Sequence, residues 1–297
     1  MPEIGNKIVN ADIDLIDESF DASQSKCYHL SIQIEPDRVS FCVLNTLDHQ
    51  YIVLRSYHLF FINPLHITDP SLLIDAYRAI FDDDDLLKYA YKNSSLLWIS
   101  PRFTFVPEHL FDPNAANLYL TFNHGTVTGE HTFHRYIRPA NLYHVFSCPE
   151  ELKSLVRKHQ PFVTFFNQSA PLIETALTKI TPAGKLDVTV FYYFGWMDIA
   201  ITKDNQLLFY NSFKINSSAD SVYYLAGVCN LFDIDLLSTK IIYPGNLQQM
   251  PPEIAILKDF VERIVECELH HMVKYSHYIR EPLRKIFTNL FNLYRCE

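Results

Sequence analysis

The chain has 297 residues, 48% of them hydrophobic and 20% charged, which is enough apolar material for one large core or two smaller lobes. Its formal net charge of −9 excludes a general affinity for nucleic acid or anionic lipid, since both demand a surplus of Lys and Arg. No segment approaches eighteen uncharged apolar residues, and the opening Met1-Pro2-Glu3-Ile4 lacks the basic start and apolar run of a signal peptide, so a cytoplasmic protein without membrane insertion is expected.

Residues 1–26 carry Asp12, Asp14, Asp17, Glu18 and Asp21 among few large apolar groups. They read as a solvated acidic leader, with an acidic metal site as the other reading. Residues 30–35, 39–45 and 51–60 are three strand patterns with short breaks, an antiparallel meander. Asp69-Pro70-Ser71 then starts a helix with Leu73, Ala76, Tyr77 and Ile80 on one face. The run Asp82-Asp83-Asp84-Asp85 is expected to be a solvated helix cap, because four successive residues cannot all face one ion. An apolar run over 95–100, closed by Pro101, fits a buried parallel strand.

Residues 102–148 are irregular, with a short strand near 103–106 and a hairpin over 132–138 and 142–146. His124, His131 and His134 cluster there, yet in a strand residues 131 and 134 face opposite sides, which suits zinc poorly. The six cysteines form no Cys-x-x-Cys pair and are expected to be reduced thiols. Beyond 148, a helix to 159, a strand over 161–166 and a helix over 169–179 capped by Ser169 lead to a linker at 181–184. A second meander follows, over 187–194, 196–202 and 206–213, broken at Gly195 and at Lys203-Asp204-Asn205. After it come a helix over 218–232, a strand over 239–243, a helix from Pro251-Pro252-Glu253 that loses register near 265, a strand over 267–273 and an amphipathic helix over 281–293.

Each half therefore reads strand, strand, strand, helix, strand, helix, strand, helix. The offset between matching elements falls by the length of the irregular region, as an insertion in the first copy requires. The expected organisation is an α/β chain of two βββαβαβα lobes, residues 27–184 with a subdomain inserted at about 102–148, and residues 185–297.

This order of elements resembles the actin-like ATPase (ribonuclease H-like) fold shared by actin, sugar kinases and Hsp70-type chaperones. At residue level, Asp17-Glu-Ser-Phe-Asp21, Tyr28-His-Leu-Ser-Ile-Gln-Ile34, Ser40-Phe-Cys42, Val106-Pro-Glu-His-Leu-Phe111 and Phe291-Asn-Leu-Tyr-Arg-Cys-Glu297 resemble an uncharacterised bacterial family of that fold, a domain of unknown function. The run from Val106 to Phe111 also looks like a feature of actin-like cytoplasmic subunits of bacterial pilus and secretion assemblies.

The wider resemblance implies ATP phosphates held by two glycine-bearing turns, one in each lobe, and a glycine pair above the adenine. Backbone approach to phosphate needs a missing Cβ. Here the first turn, Glu35-Pro36-Asp37-Arg38-Val39-Ser40, has no glycine, and Pro36 has no amide hydrogen. The second, Tyr193-Phe194-Gly195-Trp196-Met197-Asp198, has one, and the third element is reduced to Gly227. Seven glycines in 297 residues, where about 7% is ordinary, point the same way. If nucleotide binds, Asp37, Ser40, Gly195, Asp198 and Gly227 are the residues implied. Two readings follow: a non-catalytic actin-like scaffold without cofactor that binds another protein, or a divergent ATPase or phosphotransferase using ATP and magnesium. Phe194 and Trp196 are expected to fill the interlobe cleft or to line a partner site there.

Overall fold

The computed structural model describes residues 10–59, 70–177, 184–267 and 273–296. Strand β1 (Ile13–Ile16) precedes the meander β2 (Tyr28–Glu35), β3 (Arg38–Asn45) and β4 (Gln50–His58), and helix α1 (Pro70–Asp83) returns the chain to β5 (Asn93–Trp98), parallel to β2. The inserted subdomain comprises β6 (Phe103–Pro107), α2 (Ala116–His124), β7 (Glu130–Ile137) and β8 (Leu142–Pro149), a separate antiparallel sheet in the order β6-β8-β7. Helix α3 (Glu150–His159), β9 (Thr164–Asn167), parallel to β5, and α4 (Ser169–Leu177) complete the first lobe. The second lobe holds β10 (Leu186–Tyr193), β11 (Trp196–Lys203), β12 (Gln206–Lys214), α5 (Ser218–Leu231), β13 (Lys240–Tyr243), α6 (Pro252–Ala255) and β14 (Arg263–Glu266). The chain closes with β15 (Lys274–Tyr275), α7 (Glu281–Ile286) and α8 (Thr288–Asn292).

The two lobes share one topology. The first sheet runs β1-β4-β3-β2-β5-β9, with β15 also paired to β4, and the second β12-β11-β10-β13-β14, so in the shared five strands of each the first meander strand is central, the rest of the meander lies to one side and two parallel strands to the other. No helix interrupts either meander, because Pro36-Asp37 and Phe194-Gly195 are two-residue connections between the paired ends Glu35↔Arg38 and Tyr193↔Trp196.

Strand β2 is buried on both faces. Leu30, Ile32 and Ile34 join Tyr77, Phe81, Leu152 and Val156 in the outer core under α1 and α3. On the inner face, Cys42, Leu44, Tyr51 and Leu54 pack with Ile279, Phe287, Leu290 and Phe291. The second lobe has its own core, around Val188, Val190, Ile199, Ile201, Leu225 and Ile241.

Several expectations require correction. The acidic leader contains a strand: Ile13 and Leu15 pack on the inner core while β1 pairs with the edge of β4, and Asp12 and Asp14 meet Arg38 and Arg55 at 2.9 and 2.7 Å. Asp84 is not a solvated cap carboxylate but is 5% exposed, accepting from Tyr57 Oη at 2.6 Å and from Arg55 at 2.9 Å while also capping the turn at Leu86 N. Residues 263–266 form a strand beside β13 instead of the end of a helix.

The last segment, expected within the second lobe, returns to the first: β15 pairs with β4 and α8 covers the inner face of its sheet. Burying Phe287, Leu290 and Phe291 there removes a large apolar area from water. The expected helix over 281–293 is broken at Phe287, between α7 and α8. Strand end 60, Asp69, residues 178–183 and most of the expected strand over 267–273 lie outside the described residues.

Candidate functional site

The tips of the two equivalent hairpins face a common cleft. A cavity of about 310 Å³ is lined by Gln33, Glu35 and Arg38 from the first hairpin, Phe191 to Phe194 from the second, the segment Tyr243 to Asn246 after β13, and Asn289 of α8. Alternation along β2 places His29, Ser31, Gln33 and Glu35 on its inner face, and the last two reach the cavity. Gln33 is 6% exposed, its Nε2 donates to Glu35 Oε1, and its Oε1 has no hydrogen-bond partner. Burial, with the charge of Asp37 acting in the same direction, pushes the Glu35 carboxyl up to about 7, against the Gln33 hydrogen bond and Arg38.

In the second hairpin both turn residues are left-handed, Phe194 at φ 42° and Gly195 at φ 75°. That geometry follows the twist of the strands, but at Phe194 it is a strained conformation for a residue with a Cβ. The opposite wall depends on Gly245: a Cβ there would lie 2.5 Å from Cε1 of the Tyr243 ring, so the chain can fold back over that ring only through glycine.

Behind the cleft lies a polar junction. Asn167, Gln168 and Ser169, where β9 turns into α4, are each 0% exposed. Asn167 Oδ1 accepts from the backbone N–H and Oγ of Ser169, and so caps α4 in place of Ser169 itself. Gln168 Nε2 donates to Ser100 O, to Tyr193 Oη at 2.8 Å and to Asp198 at 3.4 Å. Asp198, 2% exposed, also accepts from Tyr193 Oη at 2.9 Å, Tyr210 Oη at 2.7 Å and Ser212 Oγ. Burial pushes its carboxyl up to about 6, the four hydrogen bonds opposing the rise. Ser169 Oγ contacts His144 Nε2 at 2.9 Å, and burial followed by the Arg135 charge holds that imidazole down at about 3, hence neutral. Leu97, Ile99, Phe166, Ala170, Tyr193 and Leu293 form the apolar part of the junction, with Phe191, Phe194 and Trp196 packed against it.

The candidates named from sequence are therefore dispersed. Asp37 turns toward its own sheet, with Oδ2 3.4 Å from His58 Nε2 and its carbonyl accepting from Leu59 N. Ser40 is bonded to Ser56 inside the sheet. Gly195 is buried, its carbonyl accepting from Ile215 N. Asp198 is a strand residue inside the junction, not a turn residue. Gly227 is exposed in the middle of α5 with open space around it; the cleft glycine is Gly245. Sequence reading missed Gln33, Glu35, Gly245 and Gln168, although the polar alternation on β2 and the Asn-Gln-Ser triplet closing an apolar strand were visible signals.

The histidines of the insertion have separate partners: His124 Nε2 meets Phe103 O, His131 meets Glu150, and His134 packs on Phe111. Among the described residues Asp17, Glu18 and His277 bring three ligand atoms within 4.8 Å of one another, but Glu18 is already bonded by Tyr278 Oη and Asp17 by Ser19.

The protein family described as a protein of unknown function, DUF3822, matches residues 17–264. The chain belongs to that family. A Bacteroides thetaiotaomicron protein with an actin-like ATPase fold and unknown function superposes with a TM-score of 0.72 at 25% identity, over 83% of this chain and 93% of its own. The PilM-PilN type IV pilus biogenesis complex matches at a TM-score of 0.56 and 9% identity, covering 90% of this chain and 98% of the other. No curated protein sequence matches. The DUF3822 chain thus has the actin-like ATPase fold.

That fold implies ATP and magnesium between the lobes, and the residues of this cleft do not fit them. A phosphate group there would meet the Glu35 carboxyl and the strained Phe194 in place of a glycine-rich turn of converging backbone amides, and the first hairpin turn carries Pro36, which has no N–H. The carboxylate best placed by topology, Asp198, has its oxygens taken by four donors. No helix among the described residues is long and apolar enough to cross a membrane.

Proposed function

We propose that this DUF3822 protein is a non-catalytic actin-like scaffold that binds another protein. One observation carries the reading: Asp198, which could have served a metal ion or as a catalytic base, is instead buried under Tyr193, Tyr210, Ser212 and Gln168 as a tie between the lobes. Phe194 and Trp196 support it by packing on the interlobe cluster, as residues that close a cleft do. Fold alone confers no chemistry, and PilM, of the same fold, is found in complex with PilN.

The partner surface we favour lies on the inserted subdomain. Leu118 and Phe122, one turn apart on α2, are 66% and 88% exposed, and Leu110 nearby is 61% exposed; adjacent bare apolar groups of this size mark interaction sites.

Two measurements test the proposal. Calorimetric titration with ATP and magnesium is expected to give no saturable heat, in the parent and equally in Asp37→Ala. Affinity capture from the native cell extract should recover a partner that the double variant Leu118→Ser, Phe122→Ser loses while melting as the parent does. Submillimolar ATP binding would overturn the scaffold reading in favour of a divergent ATPase, and capture indifferent to the double variant would remove the surface.

A further inference from the structure

A second cavity, of about 540 Å³, opens where the inserted sheet meets α4 and the last turn of the chain. Its lining is electrostatically opposite to the protein as a whole. In a chain of net charge −9, three arginines line it from separate elements: Arg135 on β7, Arg138 in the turn that follows, and Arg295 after α8. Glu174 of α4 is the one carboxylate among the lining residues. Its half-buried position raises its pKa, while the Arg295 charge draws it back down.

The arginines are held in ways that suit recognition. The Arg135 guanidinium carbon sits 4.2 Å from the centroid of the Phe166 ring, which is 1% exposed. Stacking of this kind fixes the plane of the guanidinium. Arg138 is exposed, and among the described residues its guanidinium has no hydrogen-bond or ion-pair partner. His144 closes the base as a neutral ring bonded to Ser169, so it adds polarity without competing charge. The volume falls within the range of about 300–1,000 Å³ typical of small-molecule sites.

We propose that this cavity binds a small multivalent anion, a carboxylate- or phosphate-bearing metabolite, through Arg135, Arg138 and Arg295. The site is separate from the interlobe cleft and does not depend on what that cleft holds. Two anions sort the chemistry: citrate for carboxylate and pyrophosphate for phosphate, each titrated calorimetrically into the full chain at low ionic strength.

The expected result is saturable one-to-one binding of at least one of them, weakened as salt is raised. Arg138→Gln, at an exposed position that should leave melting unchanged, is expected to weaken binding roughly ten-fold. Glu174→Gln is expected to tighten it a few-fold, the opposite sign to any loss of fold, by removing the opposing charge. Binding of citrate alone assigns a carboxylate ligand and of pyrophosphate alone a phosphate ligand. Failure of both to bind at millimolar concentration, or binding that neither variant alters, would overturn the proposal.

Discussion

The Tyr210 hydroxyl donates to the Asp198 carboxylate at 2.7 Å while the same ring stands edge-on to Phe103 and Phe105 at 5.6 and 5.5 Å. One side chain of β12 thus links the buried acid of the second lobe to the inserted sheet of the first. Tyr210→Phe keeps the ring contacts and deletes the donor, leaving Asp198 with one partner fewer in a desolvated place. The expected loss is about 1–3 kcal/mol, read as a lower urea midpoint with an unchanged slope. An unchanged midpoint would show that the carboxylate does not depend on this bond.

Two carboxyls, Asp198 buried and Glu35 part-buried at the cleft, give the stability a specific pH dependence. Glu35 is raised to about 7 and Asp198 to about 6, so each favours its protonated form in the folded state. Their contribution is fully present below about pH 4, the unfolded carboxylate range, and is lost as pH rises through 6 and 7. For Asp198 the loss is about 3 kcal/mol at high pH. Urea midpoints of the parent and of Glu35→Gln, compared at pH 5 and pH 8, should diverge, the variant losing less on the way up. Parallel profiles would mean that Glu35 does not titrate in that window.

Two glycines are expected to respond in opposite directions. Gly245→Ala forces a Cβ into the buried Tyr243 ring and should cost about 1–3 kcal/mol. Gly227→Ala, on the exposed face of α5 with nothing near it, should add about 0.5–1 kcal/mol through helix propensity. Thermal melting of both variants decides the point. Equal and small changes would contradict the placement of the loop after β13.

Trp196 tests how the lobes are held together. It packs with Phe194 and Tyr193 on the cluster of Leu97, Ile99 and Phe166, and Trp196→Ala should lower stability by about 2–3 kcal/mol, less than for a fully buried ring. Loss of partner capture with stability intact would instead make Trp196 a partner contact.

Much of the architecture was legible because it rests on local signals. Period-two alternation through residues 30–45 and 187–202, two-residue breaks at Pro36-Asp37 and Phe194-Gly195, and the recurrence of the same order of elements are short-range or repeated features, and both lobes display them. The Ser217–Asp220 capping box at the start of α5 is equally local.

The functional geometry was decided by pairs far apart in the chain. Ile13 and Leu15 become a strand only because the edge of β4 supplies a ladder and Arg38 and Arg55 neutralise the neighbouring acids. Asp84 is buried because Tyr57 and Arg55 arrive to satisfy it, and α8 packs on the first lobe, where Cys42, Leu44, Tyr51 and Leu54 on the inner face of β3 and β4 cover Phe287, Leu290 and Phe291. Composition and spacing determined that this chain would repeat a βββαβαβ order in two lobes, with few glycines for a phosphate. Only the tertiary structure decided that Asp198 meets Gln168, that Glu35 faces the cleft, and that Arg135, Arg138 and Arg295 share a cavity, since a polar side chain's protonation and partners depend on what burial and distant strands bring beside it.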